Sequence, residues 1–120
     1  MGSLQKHVDI AKEKLQAVIS AYENNQSTVV GDLATKVIEQ LIEADASREG
    51  KHFGDHYPRH EFSNEHYPKH VNDAIRRIWF AYGDLGYDGV NGERAKLVIK
   101  KLKKVVEFFE ERLTLKLWQE

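Results

Sequence analysis

The stretch AKLVIKKLKKVVEFFEERL, residues 95–113, carries Ala95, Val98, Leu102, Val105, Phe109 and Leu113 at steps of three and four. Steps of that size align the six side chains on one stripe of a helix and leave most of the lysines and glutamates between them to water. Such a stripe needs partner surfaces, so the fold follows from what accompanies it. At the other end of the chain, Leu4, Val8, Ala11, Leu15, Val18, Ile19 and Tyr22 form a matching stripe from Ser3 to Tyr22, broken by Asn24, Asn25, Gln26 and Ser27. A second helix follows with Val30, Leu33, Val37, Leu41 and Ala44 on one face, widened by Ile38 and Ile42. Ser27 or Thr28 is expected to cap it, and Gly50 to close it. A third helix begins near Pro68, buries Val71, Ile75, Ile78, Trp79 and Tyr82, and is expected to stop at Gly83 and Gly86. The turn Tyr87-Asp88-Gly89-Val90 and an N-cap at Asn91 lead into the long final helix, expected to reach about Leu117.

Four amphipathic helices imply an all-α protein, in its simplest form an antiparallel four-helix up-and-down bundle. Its 120 residues suffice for a single domain over 1–120. Residues 51–65 show little periodicity and contain Gly54 and Pro58, so a long His-rich loop is expected between the second and third helices. The hydrophobic share of 41% and charged share of 31% exclude a disordered chain and a bilayer-embedded one. A formal charge of -1 excludes a global field for nucleic acid or an anionic membrane. The absence of cysteine excludes disulfides, thiolate metal sites and cysteine nucleophiles. Lys6, His7 and Asp9 interrupt the start of the chain, which implies no signal peptide, no membrane association and a cytoplasmic location.

Two surfaces stand out beyond the stripes. Val106, Phe108, Leu115 and Trp118 lie off the main face of the final helix and are expected to form a homodimer strip. Continuing the stripe of the second helix brings Asp45 and Arg48 inward, at a bundle mouth or a site.

Five of the six histidines fall between His52 and His70, within a near repeat: Asp55-His56-Tyr57-Pro58-Arg59-His60 is echoed by Glu65-His66-Tyr67-Pro68-Lys69-His70. Acids, bases, imidazoles and aromatic rings at this density supply groups for metal, protons or phosphate. His66, His70 and Asp73 would share one face of a regular helix and could hold a divalent ion. Arg59 and His66 suit phosphodiester chemistry: the guanidinium holds the phosphate, the imidazole moves a proton, and His60 or Tyr67 orients them. That chemistry needs no metal and no cofactor. Lys96, Lys100, Lys103 and Lys104 fall on one side of the final helix and could track a phosphate backbone, opposed by Glu107, Glu110 and Glu111 just beyond.

The layout of Gly31 to Gly50 with Lys36, Glu43 and Ala44, a polar segment, Trp79-Phe80-Ala81-Tyr82, Tyr87-Asp88 and a long final helix resembles the HEPN domain across nearly the whole chain. Catalytic members carry an arginine, often followed by Asn, Asp or His, then four to six residues and a histidine. Arg59-His60 followed by His66 matches this form. The resemblance implies a small helical bundle, a homodimer with facing motifs, and either metal-independent RNA cleavage or nucleotide and nucleic-acid binding. In toxin-like members it also implies a cognate antitoxin. Tyr67 and Pro68 depart from the His-x-Tyr continuation of well-known members. The expectation is therefore an endoribonuclease built on Arg59 and His66, or a non-catalytic module that binds a nucleotide or a protein.

Overall fold

A computed structural model of the chain describes residues 2–87 and 92–118. It consists of α1 (Gly2–Glu23), α2 (Ser27–Ser47), α3 (His56–His66), α4 (Lys69–Tyr87) and α5 (Gly92–Leu113), with no strand among the described residues. No helix among the described residues is long and apolar enough to cross a membrane.

The breaks between helices follow local chemistry. Asn25 takes the left-handed conformation at φ 58°, and Gln26 donates back to the Ala21 carbonyl at 2.8 Å, which turns the chain from α1 into α2. The N-cap of α2 is Gln26, without a side-chain cap bond; Ser27, expected as the cap, is a buried first residue of the helix. After α2, Gly50 sits at φ 75° and the Lys51 N–H reaches the Ala46 carbonyl at 3.1 Å, an end of the left-handed type that favours glycine.

The segment expected to be one long loop contains α3, an eleven-residue helix. Asp55 caps it, its carboxylate accepting from the His56 N–H at 2.8 Å. Pro58 lies in the first turn, where a missing N–H breaks no helical bond, and Gly54 lies outside the helix at φ 65°. Both supposed breakers therefore stand where they break nothing. Only Phe62 and Ser63 of α3 are buried, so no apolar stripe advertises the helix.

A two-residue joint, Tyr67-Pro68, separates α3 from α4. Asn72 pins it: its amide donates to the carbonyls of Ser63 at 3.1 Å and Tyr67 at 3.0 Å, while the Ser63 hydroxyl donates to its Oδ1. α4 then continues through Gly83 and Gly86 to Tyr87, past its expected end. A glycine inside a helix costs about 1 kcal/mol relative to alanine and, unlike proline, removes no hydrogen bond. The turn expected at Asp88, Gly89 and Val90, with Asn91 as cap, lies outside the described residues, as does the side chain of Tyr82.

α2 packs on every other helix. Among the described residues α1 lies chiefly on α2 and lightly on α5, whereas α4 and α5 pack on each other and on α2. Val30, Ala34, Val37, Ile38, Leu41 and Ile42 are all at 0% exposure, so α2 is covered on more than one face. That enclosure draws two acids inside: Glu43 and Asp45 are each 1% exposed.

The end of the chain departs from the expected long helix. α5 stops at Leu113, not near Leu117, and Thr114 turns the chain at φ 55°. Glu110 Oε2 accepts from the N–H groups of Leu117 at 2.7 Å and Trp118 at 2.8 Å, laying the tail back on the bundle. Leu117 is buried, Leu115 and Trp118 pack against the core, Val106 is fully buried, and Phe108 packs against Tyr67 and Phe109. Of the strip, Val106 is thus interior, while Phe108, Leu115 and Trp118 stay partly exposed.

Candidate functional site

Glu39 and Glu43 stand one turn apart on α2, and α3 lays Arg59 across them. Arg59 Nε donates to Glu43 Oε2 at 2.8 Å and Nη1 donates to Glu39 Oε2 at 3.0 Å. The other contacts of Glu43 are the N–H groups of Phe53 at 3.0 Å and Gly54 at 2.8 Å. Burial pushes the Glu43 carboxyl up, but those N–H groups and the Arg59 guanidinium together hold it below its ordinary range. Arg59 is thus an interior ion-pair partner of two carboxylates.

His66 sits in the last turn of α3. Its Nδ1 lies 3.1 Å from the Phe62 carbonyl, its ring stacks on Phe62 with centroids 4.1 Å apart, and Nε2 lies 3.7 Å from Glu49. Arg59 and His66 share a helix face two turns apart, about 10 Å along the axis. They are not in contact, and different acids hold them.

Tyr67 belongs to a second polar knot, in which Tyr67 and Asp45 are buried and the two arginines reach the surface. Its hydroxyl donates to Asp45 Oδ2 at 2.7 Å, Arg112 Nε donates to the same oxygen at 2.7 Å, and Arg48 pairs with Oδ1. The Arg112 guanidinium also lies over the Tyr67 ring at 5.2 Å. Burial first, and then the neighbouring Asp45 carboxylate, push the Tyr67 phenol far up, so it keeps its proton. Asp45 thus turns inward as expected, whereas Arg48 is exposed and reaches back to it from the surface; together they clamp α2 to the α3–α4 joint and to α5.

The expected metal set does not share a helix, because the break at Tyr67-Pro68 separates His66 from His70 and Asp73. Asp73 is bound to Lys69 at 2.8 Å and lies 3.6 Å from Arg76; its hydrogen bond from Lys69 holds it below the ordinary carboxylate range. Among the described residues, the group of three with ligand atoms within 4.8 Å of one another is His7, Glu43 and His52. On α5, Lys96, Lys100 and Lys104 are exposed, while Lys103 is partly covered with Nζ 5.8 Å from the Trp118 ring centre.

The repeat segment does line a cleft. Asp32, Thr35, Lys36 and Glu39 of α2, His56 of α3 and Trp79 of α4 enclose about 550 Å³. An adjoining hollow of about 340 Å³ is lined by His56, His60, Arg76, Trp79 and Phe80. His56 and Trp79 form the shared wall, with ring centroids 4.7 Å apart. His60 faces His56 with their Nε2 atoms 2.8 Å apart, one nitrogen donating to the other. Burial, followed by the nearby His56 and Arg76, pushes His60 down to about 4, so it is neutral at pH 7. Phe80 is 72% exposed, and Trp79 Nε1 is buried with no hydrogen-bond partner among the described residues.

Of the residues given a catalytic or binding role from sequence, His60 lies in this cleft, beside His56 of the same repeat. Sequence reasoning gives no role to Glu39 and Arg76, names Lys36 and Phe80 only as marks of the HEPN layout, and places Trp79 in the core because it falls on the α4 stripe. The available signal was Phe80, a large aromatic one step off that stripe and followed by more aromatic residues. No protein-family model matches the chain, and neither a curated protein nor a solved structure matches it.

Proposed function

We propose that this protein is a HEPN-like, non-catalytic helical module whose cleft between α2, α3 and α4 takes a nucleotide, free or within an RNA strand. The observation that carries this reading is the cleft's division of labour. Trp79, His56 and Phe80 offer aromatic surface on which any base can stack, an interaction worth about 1–3 kcal/mol per base. Lys36 and Arg76 stand at its rim as cations for phosphate. Exposed Asp32 is an acceptor for ribose hydroxyls. Among the described residues, Arg76 is held by Asn64 at 3.2 Å and Asp73 at 3.6 Å, both exposed contacts that a phosphate can replace.

A metal-independent endoribonuclease requires more rearrangement. Arg59 would have to leave both Glu39 and Glu43 before holding a phosphate, and His66 would have to reach the same phosphodiester from two turns away. Binding in the cleft requires neither step. The homodimer and any antitoxin partner enter this reading through the HEPN resemblance.

The test is a fluorescence titration in a Trp118→Phe background, which leaves Trp79 as the reporter. Adenosine monophosphate and a short oligoribonucleotide should each quench it saturably, and Lys36→Ala with Arg76→Ala should weaken binding about tenfold or more. An unchanged emission with both ligands would remove the cleft as a nucleotide site.

A further inference from the structure

We propose that His7, Glu43 and His52 form a site for a borderline divalent transition-metal ion of the zinc type. Their ligand atoms lie within 4.8 Å of one another and come from three separate parts of the chain: α1, α2 and the linker before α3. Two imidazoles and one carboxylate are a recognised zinc donor set, with metal–ligand bonds of about 2.0–2.2 Å, and they leave a fourth position open. Imidazole donors favour zinc, nickel or copper over the oxygen-seeking calcium and magnesium.

Two of the three ligands are already fixed. His7 is 8% exposed, and its Nδ1 lies 2.7 Å from the side-chain oxygen of Gln40. That oxygen is an acceptor, so Nδ1 carries the proton and Nε2 keeps the lone pair; an outer partner of this kind orients most metal-binding histidines. Glu43 is held by two backbone N–H groups, and its Oε1 faces His52 Nδ1 at 3.5 Å. The third ligand is adjustable. His52 is 69% exposed at the side chain, lies in the linker and stacks on His7 with centroids 5.5 Å apart, so a small closure brings it onto an ion.

The local charge suits a cation. Arg59 brings one positive charge, but Glu39 and Glu43 bring two negative ones, which leaves a net negative charge beside the imidazoles. An exposed imidazole drawn against a buried, fixed carboxylate has a further consequence: the ion would fasten the linker before α3 to α1, reinforcing the stack of His52 on His7.

The experiment is isothermal titration of the full chain with zinc chloride alone, with a thermal melt before and after. The parent should bind one equivalent and melt higher with zinc. His52→Ala, at an exposed position, should melt like the parent without metal, yet lose the binding and the zinc-dependent rise. His60→Ala, which removes one member of the other histidine pair, should bind as the parent does. The inference is overturned if the parent takes up no zinc, if His52→Ala still binds one equivalent, or if uptake disappears with His60→Ala.

Discussion

Arg59 on α3 donates through Nε to the Oε2 of Glu43 on α2 across 2.8 Å, at a carboxylate that is only 1% exposed. Glu43 is committed to its surroundings by the Phe53 and Gly54 N–H groups, and the guanidinium supplies the positive charge that balances it directly. Removing one partner of a buried pair leaves the other charge stranded, at a cost of about 3–5 kcal/mol. Arg59→Ala should therefore lower stability by about 3 kcal/mol in urea unfolding. An arginine devoted to catalysis would leave the unfolding midpoint near that of the parent.

Tyr67→Phe tests the second knot in the same way. The substitution keeps the ring contacts with Phe62, Phe108 and Phe109 but removes the donor to Asp45 Oδ2. Arg112 and Arg48 still satisfy the carboxylate, so the loss should be about 1–2 kcal/mol. Denaturant unfolding with an unchanged m-value is the expected signature.

Asn72→Ala should be at least as damaging despite its surface-like chemistry. One amide holds the carbonyls of Ser63 and Tyr67 at the α3–α4 joint, and both are left without that donor in the variant. A cost of about 2 kcal/mol follows, with hydrogen exchange in α3 rising ahead of exchange in α4. Equal acceleration in both helices would contradict the assignment of this joint to Asn72.

The acid response follows from His60 and Glu43. His60 has its pKa lowered from 6.5 to about 4 by burial and by His56 and Arg76, so between those values the unfolded chain binds a proton that the native state refuses. Stability is then highest above pH 6.5 and falls as pH drops toward 4. Glu43 adds to the loss further down: its carboxyl is held below 4.5, so its contribution is present above that value and disappears as pH falls through the folded value. Unfolding midpoints measured between pH 7 and 4 should decline for the parent and decline less for His60→Gln.

The elements legible in the sequence are those with long stripes. Ala95 to Leu113 and Leu4 to Tyr22 each bury one face over five turns or more, so periodicity alone identifies α5 and α1. α3 was hidden because it buries little beyond Phe62, and because Pro58 resembles a helix breaker unless its place in the first turn is known. The tail was misjudged because Leu115 and Trp118 keep an apolar character that fits either a longer helix or a folded-back strap. Glu39, Glu43 and Arg59 were illegible as a unit: their pairing depends on α3 crossing α2, a contact between residues 16 and 20 positions apart. His7 stands on the α1 stripe between Leu4 and Ala11, which signals burial but not its approach to His52.

The central claim is that the cleft holds RNA without cutting it. The most direct measurement is fluorescence anisotropy over time of a short oligoribonucleotide labelled at one end, in the presence of EDTA. The account predicts a rise on adding protein that stays level for hours and is abolished by Trp79→Ala. An anisotropy that falls with time for the parent but stays level for His66→Ala would contradict it, because it would mean that the strand is being cleaved.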